Sequence, residues 1–405
     1  MTEEKTEFKH VELHLPLVLV KTRRGLRLME RMAGSRGMGH LAGLYLYIMP
    51  VVTAVMVYLG LTTIFRYLYT PNLDSFVRSL GPAVNILLPG INPILPFFYG
   101  WVALFAAMIV HEASHGIVAR AHGLTVKDSG LLFFLIVPIG AFVEVDEKEM
   151  QKTEPRVASR VLAAGVGSNI LAALLFLVLL LGVVSTFAPV TAYGGVGIAG
   201  VVPGSPAALA GLQPGQVIVS INGTAMTNIT ELGRYLAAAG PGDAAAVTYA
   251  YGSSTHTAVL TLGASKANAS VGYMGIDATN DPAAVLQNYL SAWSKNPTAY
   301  IPPPTIFGSY IPFSQSMAVF YASPLGALAG PLANLLYWLW FVNFNLALFN
   351  ALPIYPFDGG IAFRHLMRAV SHRGWDDTAV RVPTLMVTAV MVALIATMLV
   401  LPYVL

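Results

Sequence analysis

Five stretches of this chain, at about 40–66, 97–121, 157–187, 329–351 and 380–404, are apolar for long enough to cross a bilayer. A crossing takes roughly 20 helical residues. That feature leaves few folds open, because lipid offers no partner to backbone N–H and C=O groups, and a spanning segment must satisfy them itself as a helix. Composition agrees: 56% of residues are hydrophobic and 11% charged, against about a quarter charged in soluble domains. The expected fold class is a polytopic α-helical membrane protein of about five to six transmembrane helices, carrying a membrane-edge β-hairpin and an inserted small β-rich domain. Net charge is only +3, and no basic stripe is interleaved with aromatics, so nucleic acid is not an expected partner. The chain has no cysteine, which excludes disulfides, thiolate metal sites and cysteine nucleophiles.

Residues 1–39 carry eight Lys/Arg and one short apolar run, LHLPLVLV, interrupted by Pro16. No small-residue cleavage site follows it, so the segment is not read as a signal peptide. It is expected to lie on the membrane surface as a basic, partly amphipathic lead-in to the first helix, 40–66. The loops at 123–156 and 359–381 each hold four Lys/Arg, whereas 67–96 and 188–328 are poor in them. The positive-inside rule then places the N-terminus in the cytoplasm and the insert 188–328 outside. Within that insert, residues 193–279 show short alternating stretches such as QVIVSING, separated by Gly and Asn turns, which read as strands. NITELGRYLAAAG reads as a short helix, capped by Thr227 or Asn228 and ended by Gly240. Residues 280–328 read as a Pro-rich linker. The run 130–147, GLLFFLIVPIGAFVEVDE, is broken by Pro138 and Gly140 and fits a re-entrant hairpin covered by protein. The remaining parts are a membrane core in two pieces, 97–187 and 329–372, and a last helix within 373–405.

The second apolar segment contains AAMIVHEASHGIVARAHG, residues 106–123. His111-Glu112-Ala113-Ser114-His115 is HExxH, which on a helix puts both imidazoles on one face within reach of one metal ion. Glu112, about 100° around the helix, can reach a water there and act as general base. HExxH alone is a weak motif, but its place in a span is informative. A charged group at bilayer centre costs about 2.5–3.5 kcal/mol on insertion scales and is functional by default. Such a site needs a third protein ligand. His122, Glu144 and Asp358 are the candidates; His122 does not match the HExxHxxGxxH spacing, since Val118 and Ala121 stand where Gly and His belong. Asp358 lies in FNALPIYPFDGG (349–360), where two prolines and two glycines oppose a helix and favour a fixed turn.

These two motifs together resemble the site-2 protease family of intramembrane zinc metalloproteases. The second reads Asn350, Pro353, Pro356, Asp358, Gly359, and Asn345 within LALFNALP also matches. The resemblance covers about 97–372 in the family's order; the first helix and basic N-terminus lie outside it. It implies one Zn2+ per chain, held by His111, His115 and Asp358, with Glu112 as general base and Asn350 donating to the scissile carbonyl as it becomes an oxyanion. The stretch GAFVEVDE resembles the family's hairpin, so Gly140, Ala141, Phe142 and Val143 are candidate substrate-binding residues, pairing with an unwound substrate strand. The insert resembles a PDZ domain, most clearly in GVGIAGVVPGSPAALAGLQPGQVIVSINGTAM. Gly195, Val196, Gly197 and Ile198 are its candidate peptide-binding loop and strand, with helix 228–238 as the other groove wall. In AGVGSN, Val166 stands where the family often shows proline before Asn169; Asn169 and Asn334 are read as helix-packing residues.

The expected function is hydrolysis of peptide bonds within or near transmembrane segments of membrane-anchored substrates, in regulated intramembrane proteolysis. Expected partners are those substrates, a peptide or substrate tail at the PDZ-like domain, and the bilayer, with the active site toward the cytoplasmic side. The alternative is a catalytically silent PDZ-bearing scaffold or quality-control receptor, which the retained Glu112 disfavours. A metal transporter fits less well, because the first and last helices hold almost no polar residues.

Overall fold

The computed structural model describes residues 11–370 and 377–405, apart from Leu15, Asn72, Ile136 and Ala267. The chain divides into two compact units, residues 1–176 with 338–405, and residues 177–337.

The first unit begins with two strands, β1 (Val11–His14) and β2 (Leu17–Lys21), followed by helices α1 (Arg23–Ala33) and α2 (Met38–Tyr69). Helix α3 (Phe97–Ala121) carries HExxH and leads into β3 (Val126–Phe134) and β4 (Val137–Val145). Helices α4 (Glu147–Lys152) and α5 (Pro155–Val184) follow. The four strands form one antiparallel sheet in the order β1-β2-β3-β4.

The sheet confirms the hairpin and shows strands in the N-terminal segment. Residues 11–21 form two strands that extend the hairpin, with the helix α1 after them; residues 1–10 lie outside the described residues. Locally, Val11, Val18 and Val20 favour extended backbone, and Pro16, which interrupts the apolar run, sits in the turn between the strands. The Lys21 ammonium joins Glu12 at 2.9 Å and Asp128 at 3.1 Å, tying three strands together. Gly130 lets β2 close on β3: a Cβ there would lie 2.3 Å from the Val20 carbonyl oxygen. Because β2 precedes α2 and β3 follows α3, their pairing requires the chain to cross and return between them.

Among the described residues, five helices are long and apolar enough to cross a membrane: 38–69, 97–121, 155–184, 326–351 and 378–404. The first, second and third pack through small residues. Ala42, Ala103, Ala107, Ala163 and Ala164 are fully buried, and a Cβ on Gly167 would meet the Tyr45 ring at 2.1 Å. Small residues are how apolar helices approach when lipid removes the hydrophobic drive.

The second unit holds a β-rich domain. Strands β5 (Val196–Val201) and β6 (Val217–Ile221) precede helix α6 (Ile229–Ala238), then come β7 (Ala244–Tyr251), β8 (Ser254–Thr261) and β9 (Ile276–Thr279). The sheet order is β8-β7-β6-β5-β9. Alternation buries Val196, Ile198, Ile218, Ile221, Val247 and Leu260 in one core. The Asn228 side chain accepts from the Glu231 N–H and caps α6, while Glu231 reaches back to the Thr227 N–H at 2.8 Å, a reciprocal cap.

Residues 280–328 depart from the linker reading. They begin with helix α7 (Pro282–Lys295), capped by Asp281, and continue in short turns that bury Tyr300, Phe313 and Phe320. Tyr289 packs on Tyr300 and Phe313 at ring separations of 5.1 and 5.6 Å. The prolines set the turns, but the aromatics between them carry enough apolar area to pack. Helix α8 (Ala329–Ala351) returns the chain to the first unit, followed by α9 (Asp358–Val370) and α10 (Asp377–Val400).

Candidate active site

Helix α3 presents His111 and His115 one turn apart, and α9 brings Asp358 to them as its first residue. The two Nε2 atoms are 3.3 Å apart. Asp358 Oδ2 lies 3.1 Å from His111 Nε2 and 3.2 Å from His115 Nε2. This oxygen is within ion-pair distance of both rings yet aligned for a hydrogen bond with neither, and it is buried. The donors therefore converge on a shared point instead of on one another. Ligands held at about 2.0–2.1 Å around one tetrahedral ion stand about 3.3 Å apart, so the three atoms fit a zinc site.

The surroundings hold this geometry. His115 Nδ1 lies 2.7 Å from the Val161 carbonyl oxygen; that contact places the proton on Nδ1 and leaves Nε2 free to ligate. Gly165 on α5 backs both rings, since a Cβ there would fall 2.5 Å from His111 Cε1 and from His115 Nε2. Asp358 is aimed by the turn between α8 and α9. Cβ atoms on Gly359 or Gly360 would lie 2.3–2.4 Å from backbone atoms of Ala351 and Ile354, so both glycines are needed for that close approach. Thr53 of α2 donates to the Ala351 carbonyl at 2.7 Å, and Thr388 of α10 accepts from the Tyr355 N–H at 3.2 Å, pinning the turn from two sides.

Glu112 faces the sheet. Its Oε2 accepts the Val143 N–H at 3.2 Å. Val143 belongs to β4, the outer strand of the sheet, whose second edge is unpaired among the described residues. A cavity of about 410 Å³ opens between β4 and α9. Glu112, His115 and Asp358 lie in it, Val143 and Val145 form one wall, and Ile361, Arg364, His365 and Arg368 of α9 form the other. Burial, and then the charges of Arg368 and Arg364, hold the His365 imidazole below its ordinary range.

The structure brings His111, His115, Asp358, Glu112 and Val143 together. Gly140 sits in β4 against Met108, and Ala141 and Phe142 lie between Gly140 and Val143 on the same edge strand. Glu144 is exposed and, by strand alternation, points away from Val143 and Val145. His122 caps α3, engaged with the Val118 carbonyl and Arg160. Neither joins the ligand group. Asn350 donates to Leu346 within its own helix at 3.0 Å and is not among the cavity-lining residues.

Gly195, Val196, Gly197 and Ile198 need correction as a strand-addition site. Val196, Gly197 and Ile198 belong to β5, which lies between β6 and β9 and is paired on both sides, leaving no free edge for a peptide; Gly195 precedes the strand. Local pattern identifies a strand but not its neighbours. Among the described residues, the unpaired edge of this sheet on that side belongs to β9.

Sequence reasoning missed Gly165, whose one signal is a glycine among small residues on a membrane helix. Asn169, read as a helix-packing residue, lies one turn further along α5. Its side chain is fully buried, and neither amide atom has a hydrogen-bond partner among the described residues. Asn334, by contrast, donates to the carbonyl of Phe313, in a turn, at 2.8 Å.

Comparison with known proteins adds three findings. The family model described as Peptidase family M50 matches residues 99–394, which include both motifs. An uncharacterized protein of Methanocaldococcus jannaschii is 39% identical over 72 residues, 18% of this chain and 20% of the relative. The chain thus matches only about a fifth of that curated relative's length. Among solved structures, the PDZ domain of the SdrC-like protein of Listeria monocytogenes is similar at 29% identity, covering 21% of this chain and 88% of that one, with a TM-score of 0.20.

Proposed function

The chain belongs to peptidase family M50, and from that premise we propose that it is an intramembrane zinc metalloprotease cutting peptide bonds within or near the transmembrane segments of membrane-anchored proteins. The observation that carries the proposal is the convergence of His111 Nε2, His115 Nε2 and Asp358 Oδ2 at 3.1–3.3 Å, beside a glutamate tied to an open strand edge.

His111, His115 and Asp358 would hold the zinc ion, one per chain. Bound there, zinc supplies Lewis acidity, polarising a carbonyl and making water a usable nucleophile near neutral pH. Glu112 takes the proton from the attacking water and passes it to the leaving amine. The Val143 N–H fixes one carboxylate oxygen and leaves the other to work. A substrate helix hides its peptide bonds in its own hydrogen bonds, so it must unwind first. The open edge of β4, through Gly140 to Val143, offers replacement partners by strand addition. Asn350 is proposed to donate to the developing oxyanion, which requires its amide to leave the Leu346 carbonyl.

In the second unit, the PDZ-like reading places a bound peptide along the outer edge of β9, with α6 as the facing wall, in place of β5. The Lys/Arg distribution supports a cytoplasmic N-terminus, a β-rich domain on the outer side and an active site toward the cytoplasm. Release of membrane-anchored regulators is the process such cleavage would serve.

Purified wild type and Glu112→Gln, each assayed for zinc and for cleavage of a short single-span substrate, test the reading. About one zinc in each, with cleavage by wild type alone, is expected. A folded wild type that binds no zinc would refute it; zinc without cleavage by either would favour a silent scaffold.

A further inference from the structure

We propose that Arg364 is a specificity residue of the groove beside the metal ligands, recognising a substrate carboxylate about three residues from the bond that is cut. The inference rests on the metalloprotease reading and deepens it to a substrate class: membrane-anchored segments with an Asp or Glu close to the cleavage site.

The argument begins with the face of α9. Asp358, Ile361, Arg364, His365 and Arg368 recur every three to four residues, so they share one side of the helix, and all five line the cavity that holds Glu112 and His115. The same helix face that ends in a metal-ligating carboxylate therefore continues as a cationic wall. Arg364 lies six residues after Asp358, about 9 Å along the axis at ~1.5 Å per residue. An extended peptide advances about 3.3 Å per residue. A strand lying on β4 with its scissile bond at the ligands would thus bring a side chain about three residues away level with Arg364.

Arg364 is also short of a partner. Its guanidinium sits 5.9 Å over the Tyr355 ring, which orients it. Its Nε is buried and makes no hydrogen bond, and no carboxylate pairs with it among the described residues. Glu147, which also lines the cavity, is exposed and makes no ion pair with Arg364 among the described residues. A partly buried cation without an anion is costly, and a guanidinium fork matches a carboxylate bidentately. A neutral apolar segment would leave that charge uncompensated once it filled the groove; an acidic side chain would complete it.

The test uses the full chain carrying Glu112→Gln, zinc-loaded in a zwitterionic detergent, and fluorescent single-span peptides in which one Asp, Asn or Lys is moved along the sequence. Anisotropy reads binding. At one position, Asp should bind about tenfold tighter than Asn, and Lys more weakly than either. Arg364→Gln should erase the difference, Arg364→Glu should reverse it in favour of Lys, and Arg364→Lys should keep part of it, with zinc content unchanged throughout. Equal binding of the three peptides at every position, or discrimination that survives Arg364→Gln, would overturn the proposal and leave Arg364 as an interfacial anchor. Cleavage by the Glu112 protein separates the two readings. A chain that discriminates but never cuts refutes the protease, and one that cuts without discriminating refutes only the role of Arg364.

Discussion

Strands β4 and β5 carry similar sequence patterns, GAFVEV and VGIAGV, and both suggested a site for strand addition. Their surroundings separate them. β4 is the last strand of its sheet, with one edge open and the Val143 N–H turned to Glu112. β5 is flanked by β6 and β9, and the Ile198 N–H is spent on the Gln216 carbonyl at 2.8 Å. A strand's capacity to receive a peptide is a property of its place in the sheet, since only an edge has unpaired donors and acceptors.

The largest expected effect isolates the metal from both strands. Gly165→Leu drives a side chain into the His111 and His115 rings, so zinc content should fall from about one to near zero and cleavage should become undetectable, with both sheets intact by circular dichroism. Next, Val143→Pro removes the N–H that holds Glu112 and closes part of the open edge. Cleavage should drop by about 100-fold or more while zinc stays bound. Retained cleavage would show that the edge is not the substrate platform. Ile198→Pro should do the opposite. It breaks an interior strand, so limited proteolysis of 196–279 should accelerate, whereas cleavage of a short single-span substrate should change less than about threefold, because the expected platform is in the other unit.

The smallest effect concerns the corner that follows β4. Asp146 caps α4 and pairs with Lys127 at 3.0 Å. The hydrogen bond from Lys127, and then those from the Glu149 and Lys148 backbone, hold its carboxyl below the ordinary range. A depressed folded pKa contributes stability above the unfolded value, about 3.9, which is lost as pH falls through the folded one. Hydrogen exchange in 147–152 should therefore quicken on acidification below about pH 4. Asp146→Asn should abolish that dependence, with β5 unaffected.

The membrane helices were legible because a bilayer imposes one length and one polarity, and the observed boundaries fall within a few residues of those read. His111, Glu112 and His115 stood out because ionisable groups within an apolar run need a reason, whereas Asp358 was one of three candidates until the family resemblance singled it out. What the sequence did not disclose is long-range. The pairing of Val18 with Phe133 leaves no mark at either position beyond ordinary strand propensity. Gly165 looks like any small residue on a membrane helix until two imidazoles are placed against it. The 280–328 segment was misread because proline content describes local backbone, while Tyr300 and Phe313 reveal burial only once α7 and α8 are in position.

The bond between Lys21 and Asp128 joins residues 107 apart, with two membrane helices between them. During synthesis at about 5–20 residues per second, the hairpin of β1 and β2 emerges on the order of 5–20 s before β3 exists. For that interval a newborn chain displays an unpaired strand edge while its first two helices enter the membrane. Maturation of the sheet is thus timed by insertion of the HExxH helix, and agents that delay that insertion should prolong the nascent chain's exposure to chaperones and degradation.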